Sequence, residues 1–378
     1  MDSLTLDEAL ALAHARGGHR ISLAMPTRHF GPGSQEEDST RLRNLLRRAS
    51  ELLAERGLRT SDVAALLAPA HALSEDRPFW LRATDGLALL VGPEGMHAFR
   101  LDRAPRESVT VDDRYHVRPI LDLIGGPRTF WLLAISQKHV QLYEGSRAAL
   151  AEVPAEGIPE SLADAMQWDD FEKASLQFHS GSGGRGPAIF HGTGETSVKD
   201  ELVRFFRAID AGLRDHLRDS GTPLVLAGVD YLLPLYRDVN TYPHLADEAV
   251  TGNPDSLAGP ALHTRALEVA ERIADREIRA LNARIEEQWG SARITPDPET
   301  IVPAAHHGRV ETLLLSEDAE CIGSYDPESG RVLLRPSGTG EDLLDLAAVA
   351  TLENGGAVMD LPAGMMPRGA EAVAVLRY

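Results

Sequence analysis

A chain of 378 residues, 43% hydrophobic and 25% charged, has ordinary globular composition and room for two or three domains with sizeable cores. Its formal net charge of -19 excludes a surface that attracts phosphate everywhere, so contact with nucleic acid falls to local basic patches. Cys321 is the single cysteine and excludes an internal disulfide, Met1-Asp2-Ser3-Leu4 has no basic region followed by an apolar run, and no apolar stretch approaches the roughly 18 residues of a membrane span; a soluble, cytoplasmic protein with no membrane partner is expected.

From the N-terminus, Thr5 to Ala15 has a short helical pattern, and Arg20 to Ala24 reads as a strand that stops at Met25-Pro26. Gly31-Pro32-Gly33-Ser34 and the acidic Glu36-Glu37-Asp38 read as a loop. A helix is predicted over Thr40 to Glu55, where Leu42, Leu45, Leu46, Ala49, Leu52 and Leu53 share one face. Gly57 ends it. A second helix over Ser61 to Leu67 begins with Ser61-Asp62 as its cap. Gly86 to Val91 and Gly95 to Leu101 form the arms of a hairpin around Gly92-Pro93.

The composition breaks at Gly125-Gly126-Pro127. Thr129 to Ile135 is an apolar strand, turned by Ser136-Gln137-Lys138 into the strand His139 to Tyr143. A third strand, Ser175 to His179, runs into the glycine-rich stretch Ser180 to Gly194. The helix predicted next, Ser197 to Leu217, carries the stripe Val198, Leu202, Phe205, Phe206, Ile209, Leu213 and Leu217. Leu224 to Val229 is a buried strand, and a second break follows at Thr251-Gly252-Asn253-Pro254. Beyond it come helices over Leu262 to Gln288 and Pro298 to His307. Strands follow at Glu311 to Leu315, Arg331 to Leu334, Ala357 to Leu361 and Ala372 to Leu376, with a helix from Glu341 to Asn354 between the second and third. The fold class expected is mixed α/β in three domains, 1–124, 125–254 and 255–378, the middle a mixed sheet flanked by helices and the last an α/β sandwich.

Read in this order the chain resembles the archaeal and eukaryotic class-1 release factors and Pelota over about 350 residues, and most of all the bacterial branch of that superfamily. Asp85-Gly86-Leu87-Ala88-Leu89-Leu90, His97-Ala98-Phe99 and Tyr115-His116-Val117-Arg118-Pro119-Ile120 are similar to the end of the family's first domain. Phe130-Trp131-Leu132-Leu133-Ala134-Ile135 and Val140-Gln141-Leu142-Tyr143-Glu144-Gly145 resemble the opening hairpin of its middle domain, and Pro223-Leu224-Val225-Leu226-Ala227-Gly228 the strand after its long helix. In the last domain, Ala305 to Leu315 matches a helix-Gly-X-Val-Glu-strand pattern, while Gly356-Ala357-Val358-Met359-Asp360 and Ala374-Val375-Leu376-Arg377-Tyr378 look like closing strands. The resemblance implies an RNase H-like middle domain, the ribosome and ribosomal RNA as partners rather than DNA, and a translational GTPase of the EF-Tu type as a delivery partner.

The family's chemistry resides in a Gly-Gly-Gln loop between a strand and the long helix of the middle domain. Here that interval holds Gly181-Ser182-Gly183-Gly184-Arg185-Gly186-Pro187, with Gly183 and Gly184 matching the glycines and Arg185 in the glutamine's place. Glycines let the backbone take positive φ and approach a crowded RNA centre. A guanidinium donates hydrogen bonds but accepts none from water, so peptide release is not expected, and Arg185 is suited instead to phosphate. The plainer reading is a glycine-rich surface loop. The family reads stop codons through an Asn-Ile-Lys-Ser loop in its first domain. The corresponding interval, Gly31 to Thr40, has no lysine and is acidic, so codon reading is not expected either.

Arg41, Arg43, Arg47 and Arg48 make the best basic patch in this acidic chain. Arg41 and Arg48 are seven apart, Arg43 and Arg47 four apart, giving two stripes beside the leucine face and candidate RNA contacts; the plainer reading is a solvated helix face. Gly181-X-Gly183-X-X-Gly186 matches a dinucleotide fingerprint, but Pro187 and Gly192-Thr193-Gly194 separate it from the helix whose N-terminus would hold the pyrophosphate. No Walker A sequence is present, and Gly181-Ser182-Gly183 is too short for a nucleophile elbow. His306 and His307 are adjacent, about 100° apart on a helix, a poor pair for one metal ion. No cofactor or metal is expected. Asp230-Tyr231 after the strand ending at Val229 read as packed linker or as a strand-end site. The leading expectation is a tRNA-mimicking, ribosome-associated factor of rescue, recycling or hibernation, not itself an enzyme. The alternative is a peptidyl-tRNA or RNA hydrolase acting through the middle domain.

Overall fold

The computed structural model describes residues 4–28, 34–81, 84–121, 123–124, 129–147, 149–154, 156–166, 194–217, 221–335 and 340–378. In chain order the N-terminal segment contains α1 (Leu6–His14), β1 (Arg20–Pro26), α2 (Ser34–Glu55), α3 (Thr60–Glu75), α4 (Arg77–Trp80), β2 (Gly86–Gly92), β3 (Gly95–Leu101), β4 (Ser108–Asp112) and α5 (Arg118–Leu121). The middle segment contains β5 (Phe130–Ile135), β6 (Val140–Gly145), β7 (Leu150–Val153), α6 (Gly194–Leu217), β8 (Leu224–Gly228), α7 (Leu232–Val239) and β9 (Leu245–Thr251). The C-terminal segment opens with α8 (Gly259–Glu287). It continues with β10 (Ile294–Thr295), α9 (Pro298–His306), β11 (Val310–Ser316), β12 (Ile322–Asp326), β13 (Arg331–Leu334), β14 (Glu341–Asp342), α10 (Leu343–Glu353), β15 (Ala357–Leu361) and β16 (Ala372–Leu376). The fold is mixed α/β with several sheets, as the sequence leads one to expect.

Two compact units form, one of Met1–Gly126 with Ile278–Tyr378 and one of Pro127–Glu277. In the first, an antiparallel sheet in the order β3-β2-β1-β4 is covered on both faces. Ile21, Leu23, Met25, Leu87, Leu89 and Val91 meet α2 and α3 through Leu42, Leu46, Leu53, Val63 and Leu67. The alternate residues Ala88, Leu90, Phe99 and Leu101 join Val302, Leu313, Leu344 and Ala348 of the C-terminal segment in a shared core. The two ends of the chain therefore bury one apolar cluster. The C-terminal segment has two sheets of its own, β10-β16-β11-β15 and β13-β12-β14, and a smaller core of Ile278, Ile285, Leu314, Val373 and Val375.

In the second unit the sheet runs β7-β6-β5-β8-β9, with β5, β8 and β9 parallel and β6 and β7 antiparallel. Both faces are buried, which is why β5 and β8 read as continuous apolar runs. Leu133, Ile135, Leu224 and Leu226 pack on Leu202, Phe205, Phe206, Ile209 and Leu213 of α6 and on α7. Phe130, Leu132, Ala134, Val225 and Ala227 pack on Leu262, Ala266, Val269 and Ala270 of α8. The first turns of α8 thus belong to this unit.

The shared part of the first unit is tied by buried charge. Asp345, fully buried on α10, accepts from the backbone N–H of Val117 at 2.8 Å, the N–H of Arg118 at 2.7 Å and Nη1 of Arg114 at 2.8 Å. Arg118 donates through Nε to Asp360 at 2.9 Å, to the Ala319 carbonyl at 2.6 Å and to the Ser316 carbonyl. Arg103 pairs with Asp360 at 2.9 Å and Glu317 at 3.2 Å. Every partner of Asp345 here belongs to residues 114–118, so the carboxylate joins the N-terminal segment to α10.

Two substitutions probe this arrangement. Asp345→Ala leaves two backbone N–H groups buried without their acceptor and takes from Arg114 one of its two carboxylates, the other being Glu341 at 3.2 Å. It should lower unfolding free energy by about 3–5 kcal/mol in urea titration. Tyr236 is fully buried in the second unit, and among the described residues its hydroxyl has no hydrogen-bond partner. Tyr236→Phe removes a desolvated polar group and should raise stability by about 1 kcal/mol; a loss of that size would show that the hydroxyl is satisfied.

Candidate nucleic-acid interface

The arginine helix begins earlier than its leucine pattern suggests. α2 starts at Ser34, so Glu36 and Glu37 fall in its first turn rather than in a loop, where negative charge is favourable to the helix dipole. Asp38 is buried and accepts from the Arg28 N–H at 2.9 Å; burial pushes its carboxyl up, against that hydrogen bond and the charge of Arg41. The interval compared with the stop-codon loop is therefore helical over 34–40, and residues 29–33 lie outside the described ones.

The four arginines separate into two kinds. Arg43 and Arg47 are exposed, four residues apart on the outward side of α2. Among the described residues Arg43 donates only within its own helix, to the Ser39 carbonyl at 3.4 Å and Thr40 Oγ1 at 3.0 Å. Arg41 is half-buried, donates to the Pro26 carbonyl at 3.1 Å and lies 3.7 Å from Glu107. Arg48 is exposed at the wall of a cleft of about 190 Å³ that also takes in Arg106, Ser108, Thr110, His116 and Glu320. Among the described residues Arg47 and Arg48 have no ion pair. Arg43 and Arg47 are thus placed to meet a polyanion, while Arg41 and Arg48 face β4 and the residues before it.

A second cleft, of about 280 Å³, continues along β4 past Leu52, Arg56, Val111, Asp112, Ile322 and Asp342. At its base His116 lies 3.6 Å from Asp342. Burial pushes the Asp342 carboxyl up, and the neighbouring His116 and the N–H groups of Cys321 and Leu344 act against it. Nothing in the sequence pattern singles out Arg56, Arg106 or this cleft. The signal that could have found them is Ser108-Val109-Thr110-Val111-Asp112, an alternating run rich in β-branched residues that forms β4.

Gly183, Gly184 and Arg185, with the strand expected over 175–179, lie outside the described residues. His306 and His307 sit at the end of α9 with rings edge to face at 5.5 Å, and His307 Nδ1 is 2.6 Å from the Pro303 carbonyl. Tyr231 is 56% exposed, its hydroxyl accepting from Gln137 at 3.1 Å, and α7 begins at the next residue. The segment after β8 is thus a packed helical connection that leaves one ring outside.

Residues 130–272 match a sequence model of bacterial archaeo-eukaryotic release factor family 7. No curated protein matches the chain. Among solved structures, the archaeal translation termination factor aRF1 is similar at 16% identity over 99% of each chain, with a TM-score of 0.25. Ribosome-bound archaeal Pelota, from a complex with ABCE1, has 10% identity over 100% of this chain and 95% of that one, TM-score 0.40. Dom34 of S. cerevisiae has 10% identity over 76% of this chain and 74% of its own, TM-score 0.38. At such values the structures add nothing to what the family match carries. The matched stretch begins at β5 and ends within α8, taking in the whole five-stranded sheet, and on it rests the conclusion that this part of the chain is similar to the bacterial archaeo-eukaryotic release factors.

Proposed function

We propose that the protein is a tRNA-mimicking, ribosome-associated translation factor that enters the A site in rescue, recycling or hibernation. It neither reads a stop codon nor releases peptide. The observation that carries this reading is the match of the middle segment, residues 130–272, to a release-factor family. The exposed pair Arg43 and Arg47 supports it, as a local basic patch on a chain of net charge -19. The absence of lysine from 31–40 and the arginine at 185 support the loss of codon reading and of release. An RNase H-like middle domain, delivery by a translational GTPase of the EF-Tu type and a cytoplasmic setting belong to the same proposal. So does a division into domains at 1–124, 125–254 and 255–378, which is supported by the separate sheet or sheets within each segment.

Ribosome co-sedimentation of Arg43→Glu with Arg47→Glu tests the binding face. The folded double variant should pellet less than the parent, and the slope of log binding against log salt should flatten by about 1 for each phosphate it no longer neutralises. Unchanged pelleting removes these two residues from the interface. Pelleting that fails for the parent protein too removes the ribosome.

The chemistry has its own test. Water at a peptidyl ester must be held by groups that both accept and donate, in a geometry tight enough for attack. Labelled formyl-methionine should therefore stay on programmed ribosomes given the purified protein. Arg185→Gln alone should not start release, because Pro187 and the residues to Gly194 also differ from the family's loop. Release by the parent protein that disappears in Arg185→Ala would replace this reading with a hydrolase.

A further inference from the structure

β4 is an edge strand. It pairs with β1 on one side, and among the described residues no strand lies on the other. An open edge is a row of unpaired N–H and C=O groups, which proteins ordinarily cover, shorten or charge. Here all five residues of β4 line the two clefts described above, so the open edge faces a groove along its whole length. The groove has a roof and a floor. Arg48 and Leu52 of α2, with Arg56 one residue past its end, form the roof, and Glu320, Ile322, Gly340 and Asp342 of the C-terminal segment form the floor.

The spacing of the roof matches an added strand. α2 runs along β4, since Arg41 meets Glu107 at 3.7 Å and Arg56 meets Asp112 at 3.9 Å. Roof residues four apart on a helix are separated by about 6 Å. Alternate side chains of a strand, which point to one face, are separated by about 6.6 Å. Three successive upward side chains of an inserted strand would therefore sit under Arg48, Leu52 and Arg56. The charges left over set the rest. Arg48 has no ion pair among the described residues, and the guanidinium of Arg56 is held only by Asp112 at the limit of an ion pair. On the other side Asp318 and Glu320 are exposed without a cation among the described residues, whereas Glu317 is engaged by Arg103.

We propose that this groove binds an extended segment of a partner protein by adding it as a fifth strand to the sheet at β4. The segment alternates acidic or apolar residues toward the roof with basic residues toward the floor. Main-chain hydrogen bonds to β4 supply affinity and the alternate side chains supply register. The groove is independent of the ribosomal reading, since none of it rests on the middle segment or on Arg43 and Arg47.

The test uses the full-length protein and a labelled, end-capped heptapeptide, Thr-Glu-Lys-Leu-Lys-Glu-Thr, read by fluorescence anisotropy. Its alternation is the same in either chain direction. The parent protein should bind it. Binding should fall at least about tenfold in Arg48→Glu with Arg56→Glu, a loss of about 1.4 kcal/mol. That variant should instead prefer Thr-Lys-Lys-Leu-Lys-Lys-Thr, which turns lysines to the new acidic roof and keeps lysines toward Asp318 and Glu320. A peptide N-methylated at its three central amides should not bind, because it cannot complete the ladder. If the double variant does not fold, Arg48→Gln with Arg56→Gln should still weaken the first peptide. No binding of the first peptide, or equal binding of its N-methylated form, overturns the proposal. Single-stranded RNA or a second copy of the chain binding instead, with loss in the same variants, overturns it as well and gives the groove to that occupant.

Discussion

One buried carboxylate decides how the two ends of this chain meet. Asp345 has no exposure and accepts two backbone N–H groups and one guanidinium, all from residues 114–118. A lone carboxylate in that position would cost several kcal/mol in desolvation, and only a complete set of donors makes it tolerable. The donors are geometrically demanding, because successive backbone N–H groups at Val117 and Arg118 converge on one oxygen. Apolar contact between the sheet and α10 alone would permit sliding. The carboxylate fixes one register, and Arg103 and Arg118 on Asp360 fix a second point on the same surface. The same register places the floor residue Asp342, which caps α10, beside the open edge of β4.

The parts of the fold that were legible in the sequence are those specified by local periodicity. The leucine face of α2, the apolar runs of β5 and β8, the stripe of α6 and the hairpin through Gly92-Pro93 are each written within a dozen or so residues, and each forms where its pattern lies. α2 nevertheless starts at Ser34, well before the predicted Thr40. Its first turn carries acids in place of apolar residues, so the stripe is silent there while the dipole favours the helix. α3 runs on through Pro69 to Glu75, past the point at which an apolar pattern and a proline suggest a stop. The strands missed, β4, β7, β9, β10, β12 and β14, are short, half-exposed or interrupted by charge, and most owe their pairing to neighbours far along the chain. Asp345 lies in the apolar run Leu343 to Ala350, which signals a buried helix, but nothing in that run says which distant groups satisfy its carboxylate.

The candidate site divides in the same way. That four arginines lie on one helix follows from spacing, and so does their division into stripes. Which stripe is free does not. Arg41 is occupied because Pro26 and Glu107 come beside it, and Arg48 turns to a groove because β4 runs along α2. Those neighbours are 15 or more residues distant, outside the reach of any helical pattern. The glycine-rich interval is the reverse case. Its meaning rests on residue identity, the arginine at 185, and needs no geometry to cast doubt on hydrolysis.

Charge sets the terms on which such a protein can approach a polyanion. A net charge of -19 repels RNA at long range, but at physiological ionic strength that repulsion fades over about 8 Å. Inside this distance the sign is set by the nearest side chains, and Arg43 and Arg47 present cations with no acid paired to them among the described residues. A patch that would be ordinary on a basic protein therefore selects one face here, with orientation enforced by the acidity of the remainder. The groove along β4 lies on the other flank of α2, where arginines and acids alternate across a gap and a uniform polyanion would meet Asp318 and Glu320 as it met Arg48. A strand of alternating charge satisfies both walls, and a phosphate backbone satisfies one.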